Sequence, residues 1–368
     1  MYDNINYQLV TVKRRNEGIV SRGFFKGKDI LVKNYYQLNS GDFLISKRQV
    51  VHGATGLVPD HLDGAIVSNE YFVSIENDNI TTNFLTIISK LPQMYKMFFL
   101  SSYGIDIEKL VFNIADWKKR MIYIPKIDEQ EQIGTLFNKL DNTIALHQFK
   151  IKKIQKIKQG LLHVITPKRG QLIPFLRFTN FSSSWEQRQL DSTGEIITGS
   201  TPSTLKSENY STNGSPWVTP TDIISKTTIN TAKKLSKVGE SASRMVPANT
   251  ILVTSIASIG KNTMLLVPGS FNQQINGIVP DNNNDSYFLL TMSELWSRTM
   301  KSFASSGIMQ IVNKSEFSKM KFPFPDTKEE QMKIGYLFRQ LDNTIALHQT
   351  KIKKLQQIKK AYLQKMFI

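Results

Sequence analysis

Residues 133–158 read IGTLFNKLDNTIALHQFKIKKIQKIK, and residues 334–359 read IGYLFRQLDNTIALHQTKIKKLQQIK. The two stretches agree at 20 of 26 positions without a gap, at a constant offset of 201. In the first, Ile133, Phe137, Leu140, Ile144, His147, Ile151, Ile154, Lys158 and Leu161 follow alternating steps of four and three. In the second, Ile334, Phe338, Leu341, Ile345, His348, Ile352, Leu355, Lys359 and Tyr362 do the same. Such spacing is a heptad seam on a helix. It predicts two helices of roughly 30 to 35 residues, about 50 Å long at 1.5 Å per residue.

An apolar seam of that length is costly in water, so each helix needs a partner. Two nearly identical helices in one chain are natural partners for each other. If each globular segment is to return beside its own helix, the pair runs most simply antiparallel, as a coiled coil. The alternative is that each helix packs onto its own domain. His147 and His348 hold equivalent seam positions, where paired packing suits them better than metal binding. Two imidazoles without an acidic or further histidine ligand do not specify zinc.

Working outward, each helix is introduced by a proline and an acidic turn: IYIPKIDEQEQ, with Pro125, Asp128, Glu129 and Glu131, and FPFPDTKEEQM, with Pro325, Glu329 and Glu330. Proline restricts the entering backbone, and carboxylates suit the positive end of a helix dipole. The basic runs FKIKKIQKIK and TKIKKLQQIKK come later. They fit a solvated face as well as they fit contact with phosphate or an acidic partner.

These landmarks divide the chain into a first module (residues 1–125), a first spacer helix (126–165), a linker rich in Pro, Gly and Ser (166–184), a second module (185–325) and a second spacer helix (326–368). The modules share an order. QLNSGDFLISKRQVVHGATGLVP, GAIVSNEYFVS, NFLTIISKLPQMYKMFFLSSYG and WKKRMIYIP follow one another in the first. RMVPANTILVTSIASIGKNTMLLVPG, FNQQINGIVP, YFLLTMSELWSRTMKSFASSG and FSKMKFPFP do so in the second. Each reads as β-rich sequence, then a helix ending before Gly104 or Gly307, then a last strand running into proline. The expected fold class is α+β: two β-rich domains joined by two long helices.

Lys and Arg number 47 against 30 Asp and Glu, a formal net charge of +17. That excess favours a polyanion, and nucleic acid is the commonest one. No cysteine occurs, so disulfides and thiolate metal sites are excluded. No signal-length or membrane-length apolar run is present, and a cytoplasmic protein without membrane contact is the expectation.

Donor side chains for phosphates and base edges cluster in both modules. The first offers Lys13, Arg14, Arg15, Arg22, Lys47, Arg48 and His52, with Lys47 and Arg48 favoured because they follow the strand-like DFLIS. The second offers Thr198, Thr201, Ser203, Lys206, Asn209, Thr219, Thr221 and Asp222 among Gly and Pro turns, then Arg244, Ser255, Ser258, Lys261, Asn272, Gln273 and Gln274. Gln273 and Gln274 suit adenine edges. Trp217 reads as a packing residue rather than a stacking platform.

Catalytic motifs are missing. GATG at Gly53 lacks a lysine, and IASIGKNT near Gly260 lacks the first glycine of a phosphate loop. The acids after Pro325 do not form a nuclease arrangement with lysine, no adenine-methyltransferase loop occurs, and the five histidines are scattered. No catalytic residue, cofactor or metal is assigned.

LDNTIALHQ in the repeated helix, the proline-to-EQ entrances, RFTNFSSSWEQRQL, GSTPST, WVTPTDI and SSGIMQIVNKSEFSKMKFPFP together resemble the specificity subunit of type I restriction-modification enzymes, over essentially the whole chain. The resemblance implies a non-enzymatic subunit with two target recognition domains, each reading half of a split site on double-stranded DNA. It also implies that the helices act as spacer and dock two methylation subunits, with translocating restriction subunits joining the larger complex. By that likeness Trp185, Glu186 and Leu190 begin the second recognition domain, and Ser306 and Gly307 end its helical part. The spacer cores are then residues 140–148 and 341–349, with Leu140, Ile144, His147, Ile151, Ile154, Leu341, Ile345, His348, Ile352 and Leu355 in the seam and partner-docking set. The competing reading is a coiled-coil assembly protein with only non-specific DNA affinity. One departure from the family pattern is that no counterpart of Trp185 and Glu186 opens the first module. The expectation is a chain about 30 residues short at its N-terminus.

Overall fold

A computed structural model describes residues 2–31, 34–168, 170–305 and 311–367. In chain order the first module contributes β1 (Asn6–Val12), β2 (Ile19–Lys26), β3 (Tyr35–Gln37), β4 (Phe43–Ser46), β5 (Thr55–Leu57), β6 (Ile66–Ser68), β7 (Tyr71–Ser74), α1 (Thr82–Ile88), α2 (Pro92–Leu100), β8 (Ser102–Tyr103), β9 (Val111–Phe112) and α3 (Ile114–Trp117). The long helix α4 (Ile127–Ile165) follows. The second module contributes β10 (Glu186–Gln189), β11 (Gly194–Thr198), β12 (Tyr210–Val218), β13 (Thr227–Thr228), β14 (Lys234–Leu235), α5 (Lys237–Ser241), β15 (Thr250–Thr254), β16 (Asn262–Leu265), β17 (Ser270–Phe271), β18 (Ile275–Pro280), α6 (Ser286–Ser305), α7 (Lys314–Lys319) and β19 (Lys321–Phe324), and α8 (Lys328–Lys365) closes the chain. Among the described residues no helix is long and apolar enough to cross a membrane.

The chain divides into two compact units, residues 1–146 with 352–368 and residues 147–351. Unit 1 holds a sheet of order β2-β1-β6-β3, a sheet of order β5-β4-β7 and the β8-β9 pair. All neighbours are antiparallel except β1 with β6. The buried strand β4, FLIS, is apolar because both of its faces are covered. One core lies between β4 and the helices α1 and α2. Phe43, Ile45, Phe84, Ile87, Met94 and Phe98 meet Ile133 and Phe137 of α4 there, with Leu363 of α8 and Phe367 just beyond its end packed against them.

Unit 2 holds a sheet of order β11-β18-β15-β16-β13, a sheet of order β14-β12-β17 and the β10-β19 pair. Its largest core joins α6 to the sheet and to both long helices, with Trp185, Ile251, Phe288, Trp296 and Phe324 buried beside Leu162 and Ile165 of α4 and Ile334 and Phe338 of α8.

Within each unit the two long helices run antiparallel. In unit 2, moving along α4 from His147 to Lys158 moves the partner on α8 from His348 back to Asp342. In unit 1, Asp141 of α4 pairs with Lys359 of α8. The seam positions from Ile133 to Leu161 and from Ile334 to Lys359 are buried or half-buried. Tyr362, at the end of the second seam, is 40% exposed. The helices reach 39 and 38 residues, longer than the periodicity predicts. They take in the acidic entrance turns, and α4 continues to Leu162 and Ile165 because both are buried in the unit 2 core.

Two sequence expectations need correction. The helix predicted before Gly104 is broken into α1 and α2, with Pro92 at the first turn of α2. Proline restricts the preceding residue and cannot donate to a helix interior. The matching stretch of unit 2, with Trp296 there, forms one continuous 20-residue helix. The strand predicted in MIYIP does not form, although its counterpart KFPF is β19. The difference is the partner: β19 pairs with β10, and among the described residues of unit 1 no strand pairs with residues 121–124. Ser306 and Gly307 lie outside the described residues.

Candidate nucleic-acid interface

In unit 2 the reading candidates emerge from one end of the large sheet. β11 ends at Thr198 opposite Asn276, β15 ends at Thr254 opposite Ile275, and β16 begins at Asn262 opposite Val253. The loops leaving these positions therefore converge. Thr201 hydrogen-bonds to Gln273 across 72 residues of sequence. Asn272 donates to the Gln274 side chain at 3.1 Å. Arg244 reaches the Thr198 carbonyl at 2.7 Å, and its backbone N–H donates to the Ser200 hydroxyl at 2.8 Å. Thr219 and Thr221 share a 2.8 Å hydrogen bond, and Asp222 accepts from the Thr219 hydroxyl at 2.6 Å, which fixes the turn. Lys261 bonds the Pro220 carbonyl at 3.1 Å and ties that turn to the others.

Thr201, Thr221, Arg244, Lys261 and Gln273 are exposed on this end, whereas Ser258 and Gln274 are half-buried. Ser255 is buried and donates to the Gln274 carbonyl at 3.0 Å, so it builds the loop rather than facing solvent. Ser203 and Lys206 are exposed in the next turn, which Asn209 fastens by donating to the Ser203 carbonyl at 3.0 Å. Trp217 is 5% exposed, with its indole N–H on the Ser200 carbonyl, as a packing residue should be.

In unit 1 the corresponding edge of the smaller sheet carries Lys47, Arg48 and His52 in the connection between β4 and β5. Gly53, at φ +72°, closes the short turn 50–52 in a conformation that favours glycine. Its neighbours receive the β1–β2 hairpin: the N–H of Arg15 bonds to the His52 carbonyl at 2.7 Å and that of Asn16 to the Gly53 carbonyl at 2.8 Å. Arg14, Arg15, Lys47, Arg48 and His52 are thereby gathered. Lys13 sits in the same hairpin, bonded through its N–H to Gly18, and Arg22 lies apart on β2.

Two glutamates that sequence reasoning missed organise this cluster. Glu70 accepts from Arg48 at 2.6 Å, which raises the arginine's affinity for its proton further. Glu108 accepts from Arg14 at 2.8 Å and lies 3.5 Å from His52. Lys47 donates to the Asn69 carbonyl at 2.5 Å. Arg14 and Glu108 stand 94 residues apart, so no local signal links them.

The helix repeat also hides charge. In unit 2, Lys158 of α4 is 7% exposed and contacts Asp342 of α8 at 2.6 Å and Glu294 of α6 at 2.9 Å. Lys226, in the connection leading to β13, reaches the same Glu294 at 2.7 Å. Burial pushes the Lys226 ammonium down, and Glu294, flanked by both lysines, lies below the usual glutamate range despite burial. The network borders a cleft of about 890 Å³ lined by Gln155, Asn262, Arg339 and Asn343 among others. The glutamine of each entrance motif anchors its helix. Gln130 accepts from the Thr81 N–H and donates to the Asn79 and Pro125 carbonyls, and Gln331 accepts from the Asp285 N–H. The EQ dipeptide was the legible sign of that role. Among the described residues no group of three or more acidic or histidine side chains is placed to hold a metal ion.

The family model for the type I restriction modification DNA specificity domain matches residues 1–156 and 182–357. The chain belongs to that family. The HindI specificity subunit of Haemophilus influenzae is 26% identical over 380 residues, covering 85% of this specificity chain and 82% of that protein. The MjaIX specificity subunit of Methanocaldococcus jannaschii is 31% identical over 170 residues, covering 44% and 38%. Among solved structures, the type I S subunit of M. genitalium superposes with a TM-score of 0.65 at 13% identity, covering 98% of this chain and 94% of that one. A chain from a study of type I R-M complex assembly and conformational transition gives 0.56 at 18% identity, covering 99% and 92%. The specificity fold, with its repeated β-rich module and long helices, is shared with both.

Proposed function

We propose that this specificity chain reads a bipartite site on double-stranded DNA and carries no catalysis of its own. Residues 1–125 and 185–325 are the two reading domains, and residues 126–165 and 326–368 are the spacer helices that dock two methylation subunits. Restriction subunits join the complex through that assembly. One observation carries the reading: in each unit, donor side chains distant in sequence are gathered at a sheet end, on a module rooted in the same repeated helix pair. Main-chain bonds fix the loops, and the exposed Arg15, Arg48, Arg244, Lys261 and Gln273 supply phosphate and base-edge donors.

The test is to assemble the chain with the methylation subunits encoded beside it and to map methylated bases genome-wide. A single split motif with a fixed gap is expected. An active complex that leaves no bipartite methylated motif overturns the proposal.

A further inference from the structure

In unit 2 the cleft beside the Lys158 network has two walls. One is formed by residues 223–227, which continue the reading turn, and by Lys261, whose ammonium holds the Pro220 carbonyl at 3.1 Å. The other is the helix pair, with Gln155 and Gln159 of α4 and Arg339 and Asn343 of α8. All four of these helix residues are exposed, and the amides of Gln155, Gln159 and Asn343 form no hydrogen bond with a described residue. The carboxylates that line the cleft are already engaged. Glu294 holds Lys158 and Lys226 at 2.9 and 2.7 Å, while Asp342 holds Lys158 at 2.6 Å and accepts from the Tyr287 hydroxyl at 3.1 Å. Cations and amide donors are left without an acidic counterpart.

Arg339 is preorganised for an anion. Its guanidinium lies over the Tyr287 ring, 4.8 Å from the centroid, and Tyr287 is buried and fixed by its bond to Asp342. Stacking occupies the face of a guanidinium and leaves its N–H edge, which suits a phosphate, free to donate. Arg339 makes no ion pair with a described residue. The helix repeat carries the same composition twice. At the offset of 201, Gln155 and Gln159 correspond to Gln356 and Lys360, and Arg339 and Asn343 to Asn138 and Asn142. Each set of four holds one cation, three amides and no acid, although the cation stands at a different place. Such a set matches a phosphodiester backbone, whose contacts position a protein on the duplex without reading its sequence.

We propose that this cleft binds the sugar-phosphate backbone of double-stranded DNA bordering the second half-site, with Arg339 as the principal phosphate contact and Gln155, Gln159 and Asn343 as further donors. The assignment rests on the DNA-reading function, because Lys261 and the turn 219–222 belong to the candidate interface and the cleft continues from them. It gives the spacer helices a contact with the duplex as well as a length.

The test uses the chain assembled with its methylation subunits and two duplexes, one carrying the mapped methylation motif and one of unrelated sequence. Arg339→Met should lower the slope of log affinity against log salt by about one on both duplexes. At fixed salt it should weaken both by the same factor, about tenfold, as the loss of a charged hydrogen bond predicts. Arg339→Lys should keep the slope, and Gln159→Lys, which copies Lys360 of the repeat, should steepen it by about one. Neutral methylphosphonates placed one at a time along the motif duplex should weaken the wild-type complex at a backbone position bordering the second half-site and leave Arg339→Met indifferent there. Thermal melts and size-exclusion chromatography establish that each variant is folded and assembled. A slope unchanged by Arg339→Met overturns the proposal, as does a scan in which no position depends on Arg339. So does a folded Arg339→Met chain that no longer binds its methylation subunits, which would give the cleft to a protein partner. Slope changes on the unrelated duplex without any methylated motif would defeat the reading function and leave the backbone site standing.

Discussion

At the scale of single residues, the first module presents its cations already half-engaged. The side chains of Arg48 and Glu70 are 63% and 50% exposed, and solvent screening leaves an exposed ion pair of this kind with little effect on stability. Replacing Lys47 and Arg48 together by alanine should leave the melting temperature almost unchanged. If both reach phosphates, the slope of log affinity against log salt should fall by about two. In the assembled complex the first half-site should relax and the second stay as it was; an unchanged slope and motif would show that these cations face only solvent. Lys90 gives a stability test in the same unit. It occupies the place that Glu294 holds in the second module, and burial together with nearby Lys359 lowers its proton affinity, against a partial rescue by Asp141. Its charged form is therefore a cost to the folded state at neutral pH, a cost that shrinks as pH rises towards the lysine range. Lys90→Met keeps the stem and removes the charge, so it should stabilise the chain by about 1 kcal/mol in denaturant unfolding. Loss of stability would mean that the ammonium is needed beside Asp141.

At the scale of elements, the seam carries a pH dependence through its histidines. The Nδ1 atoms of His147 and His348 lie 3.0 Å apart, a hydrogen bond in which one ring donates and the other must be unprotonated at that nitrogen. Burial lowers the affinity of His147 for a proton, and His348, Lys351 and Lys150 lower it further. The unfolded chain takes up that proton near the usual value of about 6.5 and the folded chain only at lower pH. The contribution of this group to stability is thus complete above about pH 6.5 and declines as pH falls towards the folded value. His147→Leu should flatten the drop in melting temperature between about pH 7 and about pH 5.5; parallel curves for the two proteins would assign the acid sensitivity elsewhere. The long helices were the legible part of the fold because a heptad repeats locally and the chain states it twice. The EQ entrances were legible for the same reason. The sheets were not, since their pairings join residues as far apart as Glu186 and Phe324, and neither the break at Pro92 nor the unpaired residues 121–124 shows in alternation alone. At the candidate interface the donors could be named from sequence, but their organisers Glu70 and Glu108 could not. A carboxylate on a loop gives no sign of which distant arginine it will meet.

At the scale of the whole molecule, α4 and α8 are each uninterrupted helices that supply part of both units, and this continuity makes the spacer reading testable. A helix advances 1.5 Å per residue, and successive base pairs are about 3.4 Å apart along the duplex. Four residues added to each helix within the repeat, in the stretch TIALHQ common to both copies, lengthen each by about 6 Å. Four residues also approximate one turn, so the seam after the insertion is rotated by only about 40° and keeps most of its pairing face. If the helices set the gap between the half-sites, the assembled enzyme should still methylate the same two half-sequences, now separated by one or two additional base pairs. The readout is the methylation map of a host carrying the lengthened chain. A gap that stays fixed while the half-sequences are retained would mean that contacts other than the helices set the distance. Insertion into α4 alone serves as the internal control: it puts the Asp141–Lys359 and Lys158–Asp342 pairings, which flank the insertion, out of register with each other, so it should lower stability and abolish methylation rather than lengthen the gap.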